Sequence, residues 1–131
     1  MRLWHQKLIP YLPRQQLLGQ HRECCALRGK GWGRKHSTVD YVFTHPPAYL
    51  IAYHNIIMDE MEKRGYHPDP IWKNVTYRGK VLGADWPEKD WEVTSWHYLI
   101  ENTKPIYPEH DDVYLIECLN NLKSKGIEIK I

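Results

Sequence analysis

The run from Pro46 to Gly65 limits the possible folds more than any other part of this chain. Pro46-Pro47 suits the first helical turn, where a backbone N–H has no partner to lose, and Gly65 suits a helix stop. Between them Leu50, Ile51, His54, Ile57, Met58 and Met61 recur at the spacing of one helical face. Asp59 with Lys63, and Glu60 with Arg64, are acid-first pairs four residues apart that support the solvent side.

Two further segments read as helices. Arg14 to Arg28 has good helix formers, with Leu17, Leu18, His21, Cys24 and Cys25 at helical spacing, after an irregular lead-in bracketed by Pro10 and Pro13. Gly29, Gly31 and Gly33 end it in a loop that carries Lys30, Trp32, Arg34, Lys35 and His36. That loop lacks the preceding strand and following Lys-Ser/Thr of a phosphate loop. A last helix is predicted from about Pro108 to Lys125, burying Val113, Ile116, Leu119 and Leu122, with Gly126 as its stop.

From Tyr66 to Pro105 the pattern weakens, and Pro68, Pro70, Gly79, Gly83 and Pro87 punctuate short apolar runs that hold four of the six tryptophans. This stretch is expected to be irregular, with a short helix near Trp96 to Glu101 and tryptophans serving as core filler. The tail Ile127 to Ile131 alternates like a strand but shows no partner strand. The sum is an all-α or mostly α fold: one compact domain over residues 1–131, with three principal helices and an irregular segment between the second and third.

The net charge of +2 identifies no partner, but its distribution is uneven. Arg14, Arg22, Arg28, Lys30, Arg34 and Lys35 face a single acid, Glu23, between Arg14 and His36. Such a basic third is compatible with a polyanion. No apolar run reaches the roughly 20 residues of a membrane span, and the opening Met1-Arg2-Leu3-Trp4-His5 is unlike a signal peptide. A soluble, unexported, cytoplasmic protein is expected. Three cysteines make no disulfide framework, and the eight histidines are scattered without a Cys-x-x-Cys or His-x-x-x-His unit, so no metal and no cofactor are expected.

Projected at 3.6 residues per turn, the first helix sets Glu23 opposite its apolar stripe, beside Gly19, Ala26 and Gln16, with space above the carboxylate. Periodicity alone makes this an ordinary exposed glutamate. However, Gln15-Gln16-Leu17-Leu18-Gly19-Gln20-His21-Arg22-Glu23 resembles the first-helix segment of the phage-type pyrimidine-dimer DNA glycosylases, in which an Arg-Glu pair holds the catalytic glutamate. Arg34-Lys35-His36 matches that family's basic tripeptide, and His54 to Tyr66 resembles its second long helix with a Lys-Arg-Gly-aromatic ending. The resemblance covers the first half well, the last helix loosely, and residues 71–104 hardly at all. The overall similarity is to bacterial relatives that begin Met-Arg-Leu/Ile-Trp, which implies the bacterial cytoplasm or nucleoid.

The resemblance implies a chemistry. In the family the chain's α-amino group attacks C1′ of a damaged nucleotide, forms an imine after base loss, and cleaves the strand by β-elimination. An α-amine, with a reference pKa of roughly 7.7–8.0, supplies a usable neutral fraction near pH 7. By this resemblance Glu23 is the carboxylate, Arg2 and Arg22 match basic positions at phosphates or the lesion, and Arg34, Lys35 and His36 contact DNA. Met1 aligns with the threonine whose amine the best-known member exposes, and the bulk of Arg2 disfavours methionine removal, so the Met1 amine is the expected nucleophile. The tail from Ile127 to Ile131 lacks that member's aromatic-rich ending. The reading is a monomeric glycosylase/AP lyase for damaged or abasic duplex DNA, with a noncatalytic nucleic-acid-binding module or a tryptophan-rich protein-interaction domain as alternatives.

Overall fold

The computed structural model describes residues 3–29, 47–74, 77–79 and 106–130. Among these residues three α-helices, α1 (Arg14–Arg28), α2 (Pro47–Lys63) and α3 (Asp112–Ser124), carry the fold, with short 3₁₀ turns at Gln6–Tyr11 and Pro70–Lys73. The all-α expectation holds, and there is no strand among the described residues. None of their helices is long and apolar enough to cross a membrane. The expected helix near Trp96 to Glu101, and the glycine-rich loop from Lys30, lie outside the described residues.

The core forms where α1 packs on α2 and the N-terminal segment lies against both. All six residues expected on the buried stripe of α2 are buried, together with Ala52 and Tyr53. Gly65, at φ 86°, ends the helix with Tyr66 N–H donating to Met61 O at 2.8 Å. The lead-in expected to be irregular is a 3₁₀ turn, started by His5 Nδ1 accepting from Lys7 N–H and holding Leu8 and Ile9 in the core.

Arg64 explains how the lead-in stays in place. Its expected partner Glu60 lies 3.0 Å from Nε, and the rest of the guanidinium donates to the carbonyls of Leu12, Pro10 and Ile9 at 2.7, 3.1 and 3.3 Å. The other expected pair is replaced: Asp59 meets Lys73 at 3.4 Å, because the 3₁₀ turn at Pro70 brings that ammonium between Asp59 and Glu62.

The buried face of α3 differs from the expected one. Val113 and Ile116 are 75% and 60% exposed, while Cys118 and Leu122 are buried and Tyr114, Leu115 and Leu119 pack partly against the core. The physical reason is geometric. A series spaced by threes drifts about 60° per step around a 3.6-residue helix, so Val113, Ile116, Leu119 and Leu122 cannot share one face. The helix begins at Asp111, whose carboxylate accepts from Tyr114 N–H at 2.8 Å, and ends at Gly126 with φ 81°. Beyond it Ile127 and Ile129 lie half-buried on the core without forming a strand.

At the end of α1, Gly29 meets the backbone of residue 78 so closely that a Cβ would stand 2.7 Å from the Arg78 carbonyl oxygen. Only glycine permits that approach. Arg78 returns its guanidinium to the carbonyls of Arg28 and Gly29, at 2.9 and 3.3 Å, and so caps the helix.

Candidate active site

Three side chains from three helices hold the backbone just after the N-terminus. Trp4 N–H donates to Gln20 Oε1 on α1 at 2.7 Å, the Tyr53 hydroxyl on α2 donates to Trp4 O at 2.6 Å, and the Tyr114 hydroxyl on α3 donates to Leu3 O at 2.5 Å. Tyr53 also lies 3.2 Å from Gln20 Oε1. Leu3 is fully buried, so these groups would otherwise be unsatisfied away from water.

A second layer of contacts locks the next residues. Gln6 N–H donates to His110 Nδ1 at 3.1 Å, and Ile106 N–H donates to Gln6 Oε1 at 2.8 Å. His5, His110 and Tyr114 stack with ring centroids 5.3 and 5.2 Å apart. Burial, ahead of the nearby His5, lowers His110 to a pKa of about 3, and burial lowers His5 too. These rings are therefore neutral scaffolding.

Glu23 lies one turn beyond Gln20, half-buried, on the flank of α1 that also presents Gln16 and Gly19. Arg22 is exposed, and its Nη2 comes within 3.7 Å of where a Cβ would stand on Gly19, so the guanidinium reaches the Glu23 side of the helix. The fold thus brings Glu23, Arg22 and the anchored N-terminal segment to one edge. Met1, Arg2, Arg34, Lys35 and His36, the other expected site residues, lie outside the described residues.

The opposite flank of α1 carries a cluster that sequence reasoning passed over. His21 Nδ1 and His54 Nε2 are 2.8 Å apart, and Cys25 Sγ lies 3.9 Å from His54 Nε2 and 4.0 Å from His21 Nδ1. These ligand atoms fall within 4.8 Å of one another, a spacing that can hold a metal ion. Arg28, fully buried, closes the cluster: it donates to His54 Nδ1 at 3.1 Å and to the carbonyls of Trp72, Asn74 and Tyr77 at 2.9, 2.7 and 3.1 Å. Burial, and then the Arg28 charge, push His54 well below the ordinary histidine value, while burial raises Cys25 to about 12. Burial lowers His21 as well. The available signal was the mixed pair His21-x-x-x-Cys25, one turn apart on a helix, which a scan for like pairs misses.

No curated protein and no solved structure matches the chain significantly. A family model described as pyrimidine dimer DNA glycosylase does match, over residues 1–74, which include the anchored N-terminal segment, Glu23 and both α1 and α2. That match spans more than half of the 131 residues, and the chain belongs to the pyrimidine dimer DNA glycosylase family.

Proposed function

We propose that this chain, working as a single domain, is a base-excision repair glycosylase/AP lyase for damaged or abasic duplex DNA, with the Met1 amine as nucleophile and Glu23 as the catalytic carboxylate. The observation that carries the reading is the hydrogen bond from Trp4 N–H to Gln20 Oε1, one helical turn from Glu23. Three residues of extended chain span at most about 10 Å, so an amine at residue 1 stays within reach of the Glu23 side of α1. Family membership over residues 1–74 supports the same substrate class.

In this reading the neutral amine adds to C1′, the damaged base departs, and the resulting imine makes the C2′ proton acidic enough for β-elimination. Glu23 stabilises positive charge that develops on the sugar and transfers protons during ring opening and elimination. Arg2, Arg22, Arg34, Lys35 and His36 contact phosphates around the lesion, which positions the duplex without reading its sequence. The target nucleotide has to leave the stack for C1′ to be reached.

Borohydride present during reaction with abasic duplex tests the assignment. It should leave a protein–DNA adduct that maps to residue 1, and acetylating the amine should abolish trapping while salt-dependent DNA binding survives. An adduct on an internal lysine overturns the nucleophile; no adduct and no cleavage on any lesion-bearing duplex leaves a DNA-binding module. Intact mass of the active protein decides whether Met1 is retained.

A further inference from the structure

We propose that His21, Cys25 and His54 form a binding site for one divalent ion of the zinc type, joining α1 to α2 on the flank opposite Glu23. The inference is independent of the catalytic reading. His21 and Cys25 stand one turn apart on α1, so their side chains leave the helix in the same direction, and His54 meets them from the middle of α2. The three donors come from residues that are half-buried or buried, where an ion meets little competition from water.

The donor positions suit such an ion. Zinc lies about 2.0–2.1 Å from imidazole nitrogen and about 2.3 Å from thiolate sulfur. A point about 2.1 Å from both nitrogens, toward the sulfur, falls about 2.1 Å from Cys25 Sγ given the 2.8, 3.9 and 4.0 Å edges. A tetrahedral angle at the ion sets two nitrogens about 3.3 Å apart and each nitrogen about 3.6 Å from the sulfur, so the 2.8 Å edge lengthens and the two sulfur edges shorten on binding. The nitrogen–nitrogen edge is now closed by a proton. Arg28 can only donate, so His54 Nδ1 accepts from it, the His54 proton sits on Nε2, and Nε2–H donates to His21 Nδ1. An ion takes the place of this proton, and the rings part by about half an ångström to admit it. Two imidazoles and a thiolate select zinc-like ions over magnesium or calcium, and the fourth position is left to water or another donor.

Arg28 is the apparent objection, because a guanidinium lies beside the site. Its acceptors among the described residues are three carbonyls and the His54 ring. Ligation displaces one proton from Cys25 Sγ and moves the His54 proton from Nε2 to Nδ1, so the ring binds as a neutral imidazole, the thiolate offsets half of the ion's charge, and Arg28 gives up its bond to the ring while keeping the three carbonyls. Cys24 is turned into the core and is not a fourth ligand in this arrangement.

Titration of the reduced full-length chain with Co2+ tests the site without recourse to activity. One ion per chain should bind, with a thiolate-to-cobalt charge-transfer band and the intense visible bands of low coordination. Cys25→Ser should remove the charge-transfer band, and His21→Ala should weaken binding by about 100-fold or more. Both positions are half-buried, so circular dichroism and the melting temperature show whether each variant stays folded. Zn2+ should raise the melting temperature of the wild type and leave that of Cys25→Ser unmoved. Absence of the band in the wild type, or its survival in Cys25→Ser, overturns the proposal; full-strength binding by His21→Ala assigns the ion to other histidines and overturns it equally.

Discussion

The two flanks of α1 both carry polar side chains, yet they are partnered in different ways. On the Glu23 flank, Gln20 gives its oxygen to the backbone of another part of the chain, and the carboxylate one turn away stays half-exposed. On the His21 flank, the polar groups of α1 and α2 meet each other, with Arg28 enclosed behind them. One flank delivers a chain segment to an accessible edge, and the other fastens helix to helix. On the reading proposed above, the difference separates, within fifteen residues, what positions chemistry from what preserves the fold.

Glu23→Gln puts the largest number on that contrast. On the reading proposed above it should slow strand cleavage by roughly 10²- to 10⁴-fold while stability changes by less than about 0.5 kcal/mol. Single-turnover cleavage and a urea melt measure both, and a variant that cleaves normally would break the contrast on the active side. Arg28→Ala should do the reverse, destabilising by about 3–5 kcal/mol because it strands three carbonyls and His54. A loss under about 1 kcal/mol would show that the enclosure matters little.

Gln20→Ala sharpens the comparison, since Gln20 belongs to the core by burial and to the site by contact. It should cost about 1–3 kcal/mol and also reduce imine trapping, with DNA affinity nearly unchanged. Equal trapping per folded molecule would detach the anchor from the chemistry. The remaining effect is on pH dependence. His110 has a folded pKa of about 3 against an ordinary 6.5, so below pH 6.5 the unfolded chain takes up a proton that the folded chain refuses. Its contribution is fully present above 6.5 and is lost as pH falls toward 3, at about 1.4 kcal/mol per pH unit. Urea midpoints at pH 7, 6 and 5 check this, and His110→Gln should flatten the slope.

The bounds of α1 and the whole buried stripe of α2 were legible because proline, glycine and helical spacing are local signals. The face of α3 was not, because four apolar residues spaced by threes offered a pattern that a helix cannot keep on one side. What buries it is set from far away, by the Tyr114 hydroxyl meeting Leu3 O across 111 positions. Arg28 and Gln20 were illegible for the same reason, since their acceptors and donors come from Trp72 to Tyr77 and from Trp4. The position of Glu23 on the outer flank came from periodicity. The chemical role proposed for it came only from resemblance, because a half-exposed glutamate on a helix looks the same with or without a reaction to perform.

Gly29 has a reach beyond its own contact. Because backbone meets backbone there, the thickness of residue 29 sets the gauge of the gap through which residues 77–79 pass. The carbonyl of Tyr77 is one wall of the Arg28 enclosure, and Arg28 in turn decides which nitrogen of His54 carries the proton. A missing side chain at the end of one helix is thereby coupled, through two hydrogen bonds, to the tautomer of an imidazole in the middle of another.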